Sequence, residues 1–394
     1  MTDHSLPEIN NAASWQRRFW ILGALGLVVY LTGLWTDPEQ FWASGLLNTV
    51  FWITLGLGGL FFVLIHHIAG SVWSVNIRRQ AEAVMVGLPW MLLFALPLLV
   101  WGVPHLFEWA SPDAVAAHPV LREKAGYLNP SAFRFRSGVY FVLWIVLCGL
   151  LYRVSLRQDR EPHPDLIRRM RIISAPGIFV FALTLTFFGF DWVMSLDPLW
   201  YSTIFGVYIF SGSYLVILAF LILLNLALRS GPAWGDVVTV EHYHDLGKLL
   251  FAFTVFWGYI GGSQYFFIWY TNIPEETVWY LHRWEHGWKW VTLLLIVGHF
   301  VIPFLTLIFR ASKRNLRVLL VMALWMIAMQ WVDLYWLIVP TFHPHAPHLS
   351  WMDGAAFLGI GGIFLGIFWR TFTTHPLVPV GDPKLKDSIE FTNS

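Results

Sequence analysis

Apolar residues in this chain come in long runs separated by short polar punctuation, with neither the 3.6-residue stripe of a surface helix nor the strict alternation of a half-buried strand. A helix needs roughly 20 apolar residues to cross a bilayer core. Ten runs of about that length or longer can be marked, at about 18–36, 46–74, 83–107, 136–156, 172–195, 202–229, 246–269, 288–311, 316–339 and 351–372. They are apolar on all sides, which excludes the short alternating strands of a membrane β-barrel. The pattern predicts an all-α integral membrane protein of ten transmembrane helices. Residues 1–372 then form one membrane domain, and 373–394 form a tail that is solvated or bound to a partner.

The stretch 242–284 organises this reading, because a single apolar run there has ionisable groups at both ends. His242, His244, Asp245 and Lys248 precede it, and Glu275, Glu276, His282 and Arg283 come after it. Composition agrees with the pattern: 57% of the residues are hydrophobic, 12% are charged and 24 are Trp. Soluble domains carry about twice that share of charge. The polar N-terminus lacks the charged start, short apolar core and small-residue site of a cleaved leader, so the first run is expected to remain as a span. The single Cys148 rules out intrachain disulfides, CxxCH haem attachment and a Cys-ligated iron–sulfur cluster within this chain.

An even number of spans puts both termini on one side. Of the 25 Lys and Arg residues, 19 fall in the connections of that side and 6 in those of the other. The positive-inside rule then predicts that both termini are cytoplasmic. A net charge of +1 with arginines flanking the membrane reads as topology and not as a nucleic-acid-binding surface. Small residues recur at helix-packing spacing, with Gly258 and Gly262 in the seventh run, Gly362 and Gly366 in the tenth, and Gly56, Gly58 and Gly59 in the second. Close packing of helices is the reading adopted for all of them.

Ionisable side chains within apolar runs are the informative residues, because each costs several kcal/mol unless it faces a partner or a wet cavity. His66 and His67 lie about two-thirds of the way along the second run, as a proton relay or as hydrogen-bonded core histidines. Asp191 has no charge partner near it in sequence and must be protonated or find one in space. Asp197, in a tight turn with Pro198, is expected to cap the sixth helix. Asp333 lies at a depth similar to Asp191, and His299 near the middle of the eighth run. Together with Ser263, Gln264 and Tyr265 these could form an outer polar path. At the other end, Asp245, His244 and Lys248 share one helix face, as a surface anchor or as the mouth of an inner path.

The strings FGFDWVMSLDPLWYSTIFGVYIFSGS at 188–213 and FWGYIGGSQYFFIWYTNIPEETVWYLHRW at 256–284 resemble the NrfD, or polysulfide-reductase-like, membrane subunits of bacterial alternative complex III. The similarity extends over the whole chain in length and span count, and is to the shorter, ActF-type, of the two such subunits. That resemblance implies two four-helix bundles, of spans 2–5 and 6–9, with spans 1 and 10 outside them. It implies a multi-pass subunit of the bacterial inner membrane in a quinol:electron-acceptor oxidoreductase of a respiratory or photosynthetic chain. Its partners would be an iron–sulfur subunit, a multihaem cytochrome c and a larger NrfD-like subunit. No redox centre would be bound in this chain; haem c and iron–sulfur clusters would sit in the partners, and quinol could reach it from the membrane pool. Carried onto matching positions, the candidate proton path is His66, His67, Asp191, Asp245, Lys248, Tyr265 and Asp333, with His299 added by its depth. Glu275, Glu276 and Arg283 become candidate partner contacts, and no residue is expected to be catalytic or to bind metal. A stand-alone transporter or ion channel is the alternative, although prolines here lack the twofold correspondence of transporter halves. A b-type cytochrome using His66 or His67 with His299 is disfavoured, because no His spacing repeats on two helices.

Overall fold

A computed structural model describes Ile9 and Asn11–Asn393; residues 1–8 and Asn10 of the polar N-terminal stretch read as lacking a leader lie outside these residues. Every regular element among them is helical. We number the ten long helices α1 (Ala12–Leu31), α2 (Pro38–Ala69), α3 (Val75–Leu106), α4 (Pro130–Arg160), α5 (Pro164–Trp192), α6 (Phe205–Leu228), α7 (Val240–Thr271), α8 (Trp288–Leu307), α9 (Leu316–Ile338) and α10 (Trp351–Thr373). Nine of them are long and apolar enough to cross a membrane, and the chain is a multi-pass α-helical membrane protein by that measure. The exception is α7, which is 32 residues long. Its Trp and Tyr side chains, with Gly, Ser and Gln among them, lower its mean hydropathy without shortening it.

Punctuation in the sequence sets the boundaries. Asp37, Asn129 and His163 are N-caps whose side chains accept backbone N–H groups, and each is followed by a Pro that fits the first helical position. Ser350 and Asp353 form a reciprocal capping box at the start of α10. Asp197 does not cap α6: Ile204 occupies that position, with no side-chain cap. Gly70 closes α2 in the left-handed region, at φ 58°.

Helices α2 to α5 pack on one another, as do α6 to α9, and α2 and α5 meet α6 where the two groups join. Helices α1 and α10 form a pair leaning on α2 and α3. In that pair the backbones touch at glycines: a Cβ on Gly362 would run into the backbone of Gly23, and one on Gly26 would lie 2.5 Å from the backbone nitrogen of Gly359. Such approach gains dispersion where lipid offers no hydrophobic drive to association. Gly366 meets Trp20 and Gly258 meets Phe300, but Gly262 has open space before it and packs against nothing.

Both described termini lie at one end of the molecule, where Trp369 donates to the carbonyl of Ala12 at 2.9 Å. We call this the terminal end. The tail, expected to be solvated or bound to a partner, packs in its described part, 374–393, on the helices of its own chain. It runs across the terminal end and holds both groups. Gln158 of α4 donates to the Gly381 carbonyl at 2.8 Å, and Arg78 of α3 to Asp382 at 2.6 Å. The buried Ser388 lies against Trp73 and Asn76, and its carbonyl is 2.9 Å from Nε2 of His242 on α7.

Gly362→Leu is expected to lower stability in detergent by about 1–3 kcal/mol through overpacking, whereas Gly262→Ala should change it little. Equal unfolding midpoints for the two variants would contradict the close α1–α10 crossing.

Candidate functional site

In the second group of helices, α6, α7, α8 and α9 each send a polar side chain to one buried point. Gln330 and Asp333, three apart on α9, share a face. The Asp333 carboxylate accepts a short hydrogen bond from the Tyr208 hydroxyl of α6. It also lies 3.4 Å from Nε1 of Trp257 on α7 and 3.4 Å from Nε2 of Gln330. The Gln330 carbonyl is in turn 3.2 Å from Nε2 of His299 on α8, and the His299 ring lies 3.9 Å from that of Trp257. Asp333 is 1% exposed and His299 is wholly buried. Every donor to Asp333 is neutral, and no described cation pairs with it. The backbone makes room for this cluster. Gly212 on α6 leaves space for the Gln330 amide, and His299 sits in a π-helical turn, Leu295–Val301, a distortion frequent at functional sites. Such a cluster can hold a proton shared between Asp333 and Tyr208, with His299 one amide away.

The first group solves the same problem differently. Asp191 is fully buried near the end of α5 and accepts two hydrogen bonds from the Arg136 guanidinium, at 2.9 and 2.8 Å, and one from Tyr140 at 2.6 Å. Arg136 and Tyr140 are one turn apart on α4, and the guanidinium lies 3.7 Å over the Tyr127 ring. The partner that sequence neighbourhood does not supply is therefore a bidentate arginine.

The remaining expected site residues do not join these clusters. His66 and His67 lie in the last turns of α2 at the terminal end; His66 Nδ1 is 2.7 Å from the Phe62 carbonyl, while Nε2 of His67 is buried without a partner. Asp245 and Lys248 form an ion pair, and Lys248 reaches Asn393 of the tail at 3.0 Å, which favours the anchor reading. Tyr265 is 50% exposed and joins neither buried cluster; its ring lies edge-on to that of Tyr280 at 5.2 Å. Its neighbour Gln264 faces inward, accepting from Ser202 at 2.8 Å and donating to Tyr280 at 2.9 Å. Glu275 is exposed and Glu276 half-buried in the first turn of the short helix Pro274–His282, where acids suit the helix dipole. Arg283 is not a surface contact. It is buried between Trp279 and Trp336 and donates to the carbonyls of Trp336, Trp279 and Leu337 at 3.0–3.1 Å. Burial pushes its guanidinium down to about 9.

A third buried cluster, at the terminal end, is one that the sequence alone does not single out. Arg78, Arg79 and Glu82 line one face of α3; Ser155 and Asp159 meet them from α4 and Asp382 from the tail. All six are buried or nearly so. The Arg78, Arg79 and Glu82 spacing is the available signal, masked because charge places these residues in a connection between spans. No protein-family model matches the chain.

Removing one partner of a buried ion pair typically costs about 3–5 kcal/mol. Arg136→Gln should lose stability on that scale, whereas Asp333→Asn, which keeps an acceptor for neutral donors, should cost on the order of 1 kcal/mol. Unfolding of the two variants in the same detergent checks the contrast, and the reverse order would refute the assignment of charge to the two sites.

Proposed function

We propose that this chain is an NrfD-like, ActF-type membrane subunit of an alternative complex III, carrying no redox centre and serving proton movement and scaffolding while partner subunits pass electrons from quinol to a periplasmic acceptor. In this reading α7 is the tenth crossing, and the terminal end faces the cytoplasm of a bacterial inner membrane. The observation that carries the proposal is Asp333: a buried carboxylate, held only by neutral donors, to which all four helices of the second group contribute. Intramembrane acids of this kind belong to proton relays by default. The strings at 188–213 and 256–284 supply the family resemblance. Each also contributes a residue to the cluster, Tyr208 from the first and Trp257 from the second.

The rival reading as a stand-alone transporter draws on one observation, the π-helical turns Leu98–Gly102 in α3 and Leu295–Val301 in α8, since transporters place their sites at interrupted helices. Co-purification separates the two. A stable assembly with multihaem cytochrome and iron–sulfur subunits supports the oxidoreductase, and ion or solute flux through liposomes holding this chain alone supports the transporter.

Within the assembled complex, Asp333→Asn should leave subunit composition and quinol oxidation in place while lowering proton release per electron, whereas Asp191→Asn, which breaks the pair with Arg136, should lower the stability of the assembly. Unchanged proton stoichiometry in Asp333→Asn would sink the proton-path assignment.

A further inference from the structure

The outward faces of α4 and α5 change character at the same level. Along α4 the exposed positions Val142, Val146, Leu150, Arg153 and Arg157 recur every three or four residues and so form one stripe. Along α5, which runs antiparallel and packs beside it, Arg168 leads into exposed Ile172, Phe179 and Leu183 at similar spacing. Both stripes are apolar along the body of the molecule and turn to arginine at the terminal end.

Most of these arginines are free of ion pairs among the described residues. Residues 153–171 hold six arginines against three carboxylates. Asp159 turns inward to Arg79, Glu161 pairs with Arg157 at 3.2 Å, and Asp165 lies 3.3 Å from His163. Arg153, Arg168 and Arg169 are exposed and form no ion pair with a described residue. The connection between α8 and α9 at the same end is different. There Arg314 is held by Glu241 at 2.5 Å, and Lys313 is turned into the carbonyls of Leu307 and Ile308, leaving only Arg310 and Arg317 free.

We propose that the terminal end of the α4–α5 hairpin binds an anionic phospholipid. Its phosphate lies among Arg153, Arg168 and Arg169, and its acyl chains run along the apolar part of the two stripes. Guanidinium groups grip phosphate through paired N–H donors, and each basic residue near an anionic leaflet adds to the attraction. Continuity of the apolar stripe with the arginines selects a lipid over free phosphate, because the same surface meets both parts of the molecule. This inference rests on the membrane-spanning fold and stands apart from the electron-transfer reading.

The test is native mass spectrometry of the full chain in detergent, titrated with phosphatidylglycerol and with phosphatidylcholine of the same acyl chains. Phosphatidylglycerol should bind at least about tenfold more tightly, and R153Q/R168Q should weaken it by about fivefold per arginine while leaving phosphatidylcholine unchanged. R310Q/R317Q should retain wild-type affinity. All four substitutions are at exposed positions, so matching unfolding midpoints will establish that the fold persists. Equal affinity for the two lipids, an equal loss in R310Q/R317Q, or displacement of phosphatidylglycerol by inorganic phosphate would each overturn the lipid site.

Discussion

Satisfaction of buried polar groups from within the bundle is the constraint on which this structure depends. An apolar surround offers no water to complete a hydrogen bond, so each buried donor, acceptor or charge must be met by another part of the chain. Arg283 shows the rule without a direct ion pair among the described residues: its guanidinium is spent on three carbonyls, two of them at the C-terminal end of α9, where a helix dipole favours a cation. At the terminal end, Arg78, Arg79, Glu82, Asp159 and Asp382 satisfy one another across α3, α4 and the tail. The tail is thus a structural part of the membrane domain, since removing Asp382 would take a carboxylate from a buried arginine.

Against that background the two groups of helices differ in one respect. Each buries an aspartate in its last helix, Asp191 in α5 and Asp333 in α9, and each gives it a tyrosine hydroxyl from a neighbouring helix. The first adds Arg136, whose guanidinium meets Asp191 through two hydrogen bonds in a salt bridge. The second adds Trp257 and Gln330, which bring hydrogen bonds but no charge. A salt bridge holds two helices in one arrangement. A carboxylate among neutral donors has no such counter-charge, and burying it in an apolar surround is costly.

The helical architecture is legible in the sequence because run length and the dipeptides Asp-Pro, Asn-Pro and His-Pro mark spans and their starts, and these signals are local. The site is legible only as a set of unusual residues. Asp191, Asp333 and His299 stand out by type and depth, yet their partners Arg136, Tyr208, Trp257 and Gln330 lie on other helices or read as ordinary aromatic and amide residues. Charge assigns Arg136 to an outer loop, although it is the residue that neutralises Asp191. Facing fails in the same way. A one-residue step turns a helix by about 100°, so Gln264 looks inward where Tyr265 looks out, and no hydrophobic stripe in an aromatic helix marks the difference. The tail misleads for a related reason: its composition is that of a solvated segment, and only the arginine and glutamine side chains presented by α3 and α4 make its burial favourable.

The π-helical turn in α8 ties these threads together. A π turn adds a residue to the helical repeat and so rotates the residues after it relative to those before it. In α8 the turn Leu295–Val301 contains His299 and leads into Pro303, which has no N–H to give to an ordinary α ladder. The distortion therefore has a local cause in sequence and a consequence in space. It lies where the His299 ring rests on Trp257 and Nε2 meets Gln330, leaving Nδ1 buried and without a partner. Other buried polar atoms share that state among the described residues, Nε2 of His67 among them, but here the unpartnered nitrogen is joined through one glutamine to a buried carboxylate held by neutral donors. Four helices thus converge on a carboxylate and an imidazole that only neutral groups hold, where the first group of helices meets the same demand at Asp191 with one arginine.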